Sequence, residues 1–307
     1  MVSVKQSCLY SSSKHTRGIS LLLMCAISIF ILQPISAHAE TVIRTNARPD
    51  SPDQRLRHSG ILLDEALNIT TAEHGPYTLS PLNTDVSRNR ALIELGKGNI
   101  EVYSAAARKN WEDQAIAVRI PLHKGLLGYK LLLIQKPNAS RFAAITSLDQ
   151  LKTIPMGGGS QWTSTMAFKA LGFHVIGGEQ YETLFEMLKR GRFDYFPRGI
   201  TEIYEEFQLF SPVVGNMIVE PTTAFYLPNP VYFFISPKYP ELAERIEKGL
   251  NRLLENGRFD QLFQAHHIKN IMQADLKNRQ IFYLKNPALS AETPFSRKEL
   301  WYRPEQL

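Results

Sequence analysis

The chain of 307 residues contains only two cysteines, Cys8 and Cys25, both close to its N-terminus. Beyond residue 25 there is therefore no disulfide, no thiol nucleophile and no cysteine metal ligand. A membrane-length apolar run is missing too. Ile19 to Leu32 is uncharged and apolar, but its 14 residues fall short of the roughly 18–20 that a spanning helix needs. Strong charge of one sign is absent: 35 basic against 29 acidic side chains leave a formal +6. That excess is too mild to imply nucleic acid, and no basic block interleaved with aromatics appears. Gly157 to Ser160 is glycine-rich, but no lysine–threonine pair follows it, which excludes a phosphate-cradling nucleotide loop. No serine–histidine–acid order and no tight carboxylate pair stands out. His266 and His267 are adjacent on a helix, point in different directions and have no third ligand placed beside them. They read as a surface pair, with His58, His74, His123 and His174 scattered. Neither a metal nor a cofactor is expected.

What is present begins with a leader. Lys5, Lys14 and Arg17 precede the apolar run, Pro34 breaks it, and Ala37-His38-Ala39 is a small-x-small cleavage site before Glu40. Residues 1–39 thus read as a secretory signal peptide, cleaved after Ala39, and the protein is expected in the periplasm. Met24 is too large for the usual lipoprotein pattern ahead of Cys25, and no twin-arginine pair surrounds Arg17. Cleavage removes three positive charges and no acidic ones, taking the formal charge from +6 to +3.

From Thr41 onward strands and helices alternate. Thr41 to Arg44, Tyr77 to Leu79 and Ile100 to Tyr103 read as strands. Ile61 to Ile69 and Asp85 to Leu95 read as helices, the second capped by Asp85. Leu126 to Gln135 contains the continuous apolar run of a buried strand, and Pro137 to Ser140 reads as a boundary. A second alternating unit follows. It comprises a helix from Leu148 capped by Ser147, strand Ile154 to Met156, a tight loop Gly157 to Ser160, helix Trp162 to Leu171, strand Val175-Ile176 and helix Tyr181 to Lys189. Such alternation predicts an α/β class with helix-covered, mostly parallel sheets. Val231 to Ser236 is another buried run. Leu242 to Leu254 is strongly amphipathic, and Phe259 to His266 forms a further short helix. After Asp275 the chain turns proline-rich.

The stretch Leu188 to Glu202 is the most informative. A helix stops at Gly191, a residue that tolerates a left-handed cap, and the strand Phe193 to Phe196 follows. It ends in Pro197-Arg198-Gly199, a guanidinium at a strand end, where open α/β sheets bind ligands.

These motifs, in this order and spacing over about residues 41–268, resemble a type II periplasmic solute-binding protein of the family 3 group, which includes polar amino-acid binders. The resemblance rests on Ser147 to Lys152, on Gly159-Ser160, on Leu184 to Phe196 and on Glu241 to Phe263. Arg119 to Tyr129, Phe196 to Gly199 and Leu300-Trp301 are similar to a separate bacterial branch of that family. The resemblance implies a two-lobed fold, each lobe a mostly parallel sheet flanked by helices, joined by two hinge strands. Residues 40–135 with 227–274 would form the first lobe and 136–226 the second. The crossings would fall near Ile134 to Asn138 and Tyr226 to Val231. The tail, 275–307, has too many apolar residues for a linker and is expected to pack on the first lobe and bury Trp301.

The resemblance also implies a ligand cleft. Arg108 matches the family arginine that grips a carboxylate, for which a planar guanidinium is suited. Ser160 and the helix beginning at Trp162 supply N–H groups that attract an anion. Trp162 and Tyr103 are candidate apolar walls, with a core role as the competing reading for each. The aspartate that amino-acid binders use for the ligand ammonium is replaced by Gly199, beside Arg198. Glu202 is the nearest acid. Arg198 therefore either joins Arg108 in gripping an anionic ligand or pairs with Glu202 one helical turn away. The implied activity is that of a monomeric, non-catalytic receptor. It would hold a small anionic or zwitterionic metabolite for an inner-membrane ABC permease or a sensor, with no nucleic-acid partner. A dehydratase-like enzyme on the same fold is the alternative, with Glu202 as its general acid or base.

Overall fold

A computed structural model describes residues 40–51, 53–82 and 86–306. The leader and Asp85 lie outside the described residues. In chain order the elements are β1 (Thr41–Thr45), α1 (Gln54–Asn68), α2 (Thr71–His74), β2 (Tyr77–Pro81), α3 (Arg88–Lys97), β3 (Val102–Ala106), α4 (Lys109–Glu112) and β4 (Ile116–Val118). Then follow β5 (Tyr129–Gln135), α5 (Ala139–Ala143), α6 (Leu148–Thr153), β6 (Met156–Gly159), α7 (Thr163–Ala170), β7 (Val175–Gly178), α8 (Tyr181–Lys189) and β8 (Tyr195–Gly199). The chain closes with α9 (Ile203–Val214), β9 (Met217–Tyr226), β10 (Val231–Ile235), α10 (Pro240–Glu255), α11 (Arg258–Ala274) and β11 (Gln280–Tyr283). Among the described residues no helix is long and apolar enough to cross a membrane.

The strands form two mixed sheets, which bears out the two-lobed α/β expectation. The first has the order β2-β1-β3-β10-β4 and the second β11-β9-β5-β8-β6-β7. β1 runs parallel to β2 and β3, and β10 is antiparallel to β3 and β4. In the second sheet β6 is parallel to β7 and β8, and β5 is antiparallel to β8 and β9. The Leu-Leu-Leu-Ile run of β5 has both faces covered and is wholly buried, as a continuous apolar strand requires. In α10, Leu242, Ile246, Leu250 and Leu253 turn one stripe onto the first-lobe core.

Local signals act mostly as read, with one exception. Ser147 and Gln150 form a capping box, and Gly191 takes the left-handed conformation at φ 62°. Helix α3 is capped by Ser87, whose hydroxyl accepts from the Arg90 N–H. Gly157 to Gly159 is not a loop but most of strand β6. A Cβ at Gly157 would lie 2.2 Å from the Phe193 ring, and one at Gly159 would lie 2.4 Å from the Trp162 ring. These glycines admit close neighbours; they do not turn the chain.

The lobe boundaries differ from those expected. β5 belongs to the second sheet, so the first crossing runs through residues 119–128, ahead of Ile134. The sequence hid this because a buried strand looks alike in either sheet. The second crossing, 227–230, lies between β9 and β10. Two further passages join the lobes. Helix α11 is twice as long as the short helix expected. It buries Phe259 in the first-lobe core and Phe263, Ile271 and Ala274 in the second. The tail does not pack on the first lobe alone. Its β11 adds a parallel edge strand to β9, Leu284 enters a second-lobe cluster, and Leu300 and Trp301 return to the first-lobe core. The Trp301 ring presses on Gly125 and the Tyr302 N–H donates to the Lys124 carbonyl, so the tail braces the first crossing.

Candidate functional site

Between the lobes lies a cavity of about 540 Å³, within the roughly 300–1,000 Å³ usual for small-molecule sites. The first lobe contributes Arg88 and Arg108, and the start of α7 contributes Trp162, Thr163 and Ser164. The end of β8 contributes Arg198, and Glu202 closes that side. Arg108 leaves β3 in extended geometry (φ −152°, ψ 144°). Its Nη2 reaches across the cleft and donates to the Thr163 hydroxyl, the one side-chain bond that ties Arg108 to the second lobe among the described residues. Burial, and then the Arg88 charge, pull the Arg108 guanidinium below its ordinary pKa. Across the cavity, on β5 beside Gly199, burial likewise lowers the pKa of the Lys130 ammonium, against the nearby Glu202 charge. Among the described residues no carboxylate forms an ion pair with Arg108 or Arg88 of the first lobe. This wall is therefore an anion-seeking surface.

The opposite wall is different. Arg198 is buried, and its Nε and Nη2 donate to the two oxygens of Glu206 at 2.6 and 2.5 Å. Glu202 lies 3.2 Å from the same guanidinium. The cation also sits 4.6 Å above the Trp162 ring and 5.0 Å from Phe196. A joint grip on an anion by Arg108 and Arg198 does not fit this arrangement, since two carboxylates already occupy Arg198. Glu206 was missed in the sequence. It lies one turn beyond Glu202 on α9 and is buried by Tyr181, whose hydroxyl donates to it at 2.7 Å. Only the packing of α9 against β8 makes it a partner. Glu202 accepts the Gly199 N–H at 2.9 Å and presents its carboxylate to the cavity.

Of the other expected residues, Trp162 lines the cavity and two do not. Tyr103 is buried in the first-lobe core against Trp111, with ring centroids 5.6 Å apart, so its core reading holds. Ser160 turns to β7. Its N–H donates to the Gly178 carbonyl at 2.9 Å and its hydroxyl fills the space beside Gly177. The polar groups of that loop that do face the cavity are Gln161, Thr163 and Ser164. The tail adds Asn286, which donates to the Pro228 carbonyl at 2.8 Å and lines the cleft. No sequence motif marked it.

The histidines are not scattered. His58 on α1 comes together with His266 and His267 on α11, and one ring nitrogen from each lies within 4.8 Å of the others. The pair on α11 does diverge, but the third ring comes from a helix more than 200 positions away and stacks on His266 at 4.7 Å. The expectation that no third ligand stands beside the pair is overturned.

No family model and no curated protein matches the chain. Solved structures to which it is similar include a probable amino-acid ABC transporter extracellular-binding protein from Bacillus subtilis. That likeness has 16% identity, covers 74% of this chain and 97% of the other, and has a TM-score of 0.49. Another is an ancestral arginine-binding protein bound to glutamine, with 17% identity, coverage of 74% and 96%, and a TM-score of 0.44. A third is a histidine kinase sensor domain with similarity to periplasmic binding proteins, at 11% identity, coverage of 73% and 94%, and a TM-score of 0.45. Its own two mixed sheets, their covering helices and the crossings between them make this chain a two-lobed α/β protein.

Proposed function

We propose that this is a non-catalytic periplasmic receptor that captures a small carboxylate-bearing, amino-acid-like metabolite between its lobes and delivers it to an ABC importer. One observation carries the reading. Arg108 faces a ligand-sized cavity together with Arg88, and no carboxylate among the described residues pairs with either of them. A ligand carboxylate meets the planar donors of Arg108 from the first lobe and the N-terminal turn of α7 from the second. Thr163, which now accepts from Arg108, exchanges that bond for one to the ligand. On the far side Glu202, 3.2 Å from Arg198, lines the cavity opposite Arg108.

Mass spectrometry of material released from natively purified protein identifies the ligand. Recovery of that ligand unchanged after incubation separates a receptor from a dehydratase-like enzyme. In titration calorimetry with the identified ligand, Arg108→Ala is expected to weaken binding roughly tenfold to a hundredfold. That is the size of about 1.5–3 kcal/mol for a hydrogen bond to a charged group. Unchanged affinity would remove the carboxylate reading.

A further inference from the structure

The histidine cluster lies outside the proposed ligand cleft, and its geometry goes beyond any need of packing. His58 and His267 are buried, and His266 is half-buried. The Nε2 of His58 lies 3.0 Å from the Leu122 carbonyl oxygen, to which it can only donate. Its Nδ1 is therefore left with a lone pair. The Nε2 of His267 lies 3.0 Å from the Nδ1 of His123, while its own Nδ1 is buried with no hydrogen-bond partner. Buried imidazole nitrogens without partners are costly in a folded protein. The rings that carry this costly atom and the His58 lone pair fall in one cluster with His266, one nitrogen of each of the three lying within 4.8 Å of the others.

We infer that His58, His266 and His267 form a three-imidazole site for a divalent transition metal of the zinc class. Metal-bound histidines characteristically donate their second ring N–H to a carbonyl or another acceptor, which fixes the tautomer and aims the ligating nitrogen. Leu122 does this for His58. His123 does it for His267, as a positioning residue. Imidazole nitrogens around a tetrahedral zinc at roughly 2.0–2.1 Å stand about 3.3 Å apart, so modest side-chain rotation closes the site. Three neutral imidazoles with no thiolate suit zinc, copper or nickel rather than calcium or magnesium. A separate cavity of about 520 Å³, lined by His266 and His267, gives the ion an entry path and leaves its fourth position to water. The ligands come from α1 and α11, and His123 lies on the first crossing. A bound ion would therefore tie the bridging helix to the first lobe at the hinge.

The test uses the untagged, exported form of the chain, stripped with a chelator and titrated with zinc alone. The expected result is one zinc per chain retained through gel filtration, with a rise in melting temperature. Cobalt should give the absorption of a tetrahedral nitrogen site. His266→Ala, at a half-buried position, should keep the far-ultraviolet circular dichroism of the parent. It should lose zinc affinity by a hundredfold or more, above the roughly 10–100-fold typical of losing an outer-sphere partner. His58→Gln should do the same, and His174→Ala, at an exposed position, should bind as the parent does. The inference is overturned if the parent retains no stoichiometric metal. It is equally overturned if His266→Ala binds zinc as tightly as the parent, or if His174→Ala loses binding. The parent stoichiometry and His266→Ala decide the outcome even if His58→Gln does not fold.

Discussion

Arg108 and Arg198 carry the same charge, one just past β3 and the other inside β8 near its end, yet their environments separate them. Arg108 stands at the mouth of a cavity with other cations, so its unmet demand is an anion. Arg198 is buried with Glu206 and Glu202, so its demand is already met within the fold. The two substitutions should therefore behave differently. Arg198→Ala leaves Glu206 buried without its cation, and breaking a buried pair from one side costs about 3–5 kcal/mol. A large loss of melting temperature is expected, with Arg198→Met plus Glu206→Gln recovering part of it. Equal stability of Arg198→Ala and the parent would show that the pair does not support the second lobe. Arg108→Ala should melt as the parent does.

At the scale of elements, the glycines of β6 and α3 make opposite predictions. Gly157→Ala drives a methyl to 2.2 Å from the buried Phe193 ring, so a loss of about 1–3 kcal/mol or more is expected in urea unfolding. Gly96 lies exposed within α3 with nothing near its missing Cβ, so Gly96→Ala should stabilise by roughly 0.5–1 kcal/mol. A second element-level prediction concerns acid. Glu73 on α2 accepts hydrogen bonds from Lys248 and Arg252 of α10, and these hold its pKa down at about 2, from an ordinary 4.5. A depressed carboxylate contributes stability that is complete above its unfolded pKa and fades as the pH falls through the folded one. The parent should therefore lose stability between pH 4.5 and about 2 that Glu73→Gln does not lose. Parallel slopes for the two proteins in that window would contradict the assignment. Much at this scale was legible beforehand. The apolar stripe of α10, the capping box at Ser147 and the glycine stop at Gly191 are local patterns, and local patterns are what a sequence displays. Gly157 to Gly159 misled because glycine signals a turn and a close approach with the same letter.

At the scale of the whole molecule, the tail and α11 matter most. Residues 280–302 add a strand to the second sheet, line the cleft at Asn286 and return Trp301 to the first-lobe core. Deleting 275–307 uncovers several large apolar side chains, each contributing about 1.5–3 kcal/mol, and should lower the melting temperature by at least about 10 °C. An unchanged melting temperature with cellular activity lost would instead mark the tail as a docking strip.

The alternation of strands and helices, the amphipathic faces, the arginine just past β3 and the apolar character of the tail are all legible in the order of the residues. Each depends on residues a few positions apart, where periodicity and capping chemistry act directly. Long-range packing sets the rest: Arg198 pairs with Glu206, Tyr103 and Ser160 turn from the cleft and the first crossing precedes β5. The same packing brings His58 to His266 and His267. Those outcomes depend on which distant faces pack together, a choice made by the summed burial of whole elements and written in no single stretch of the chain.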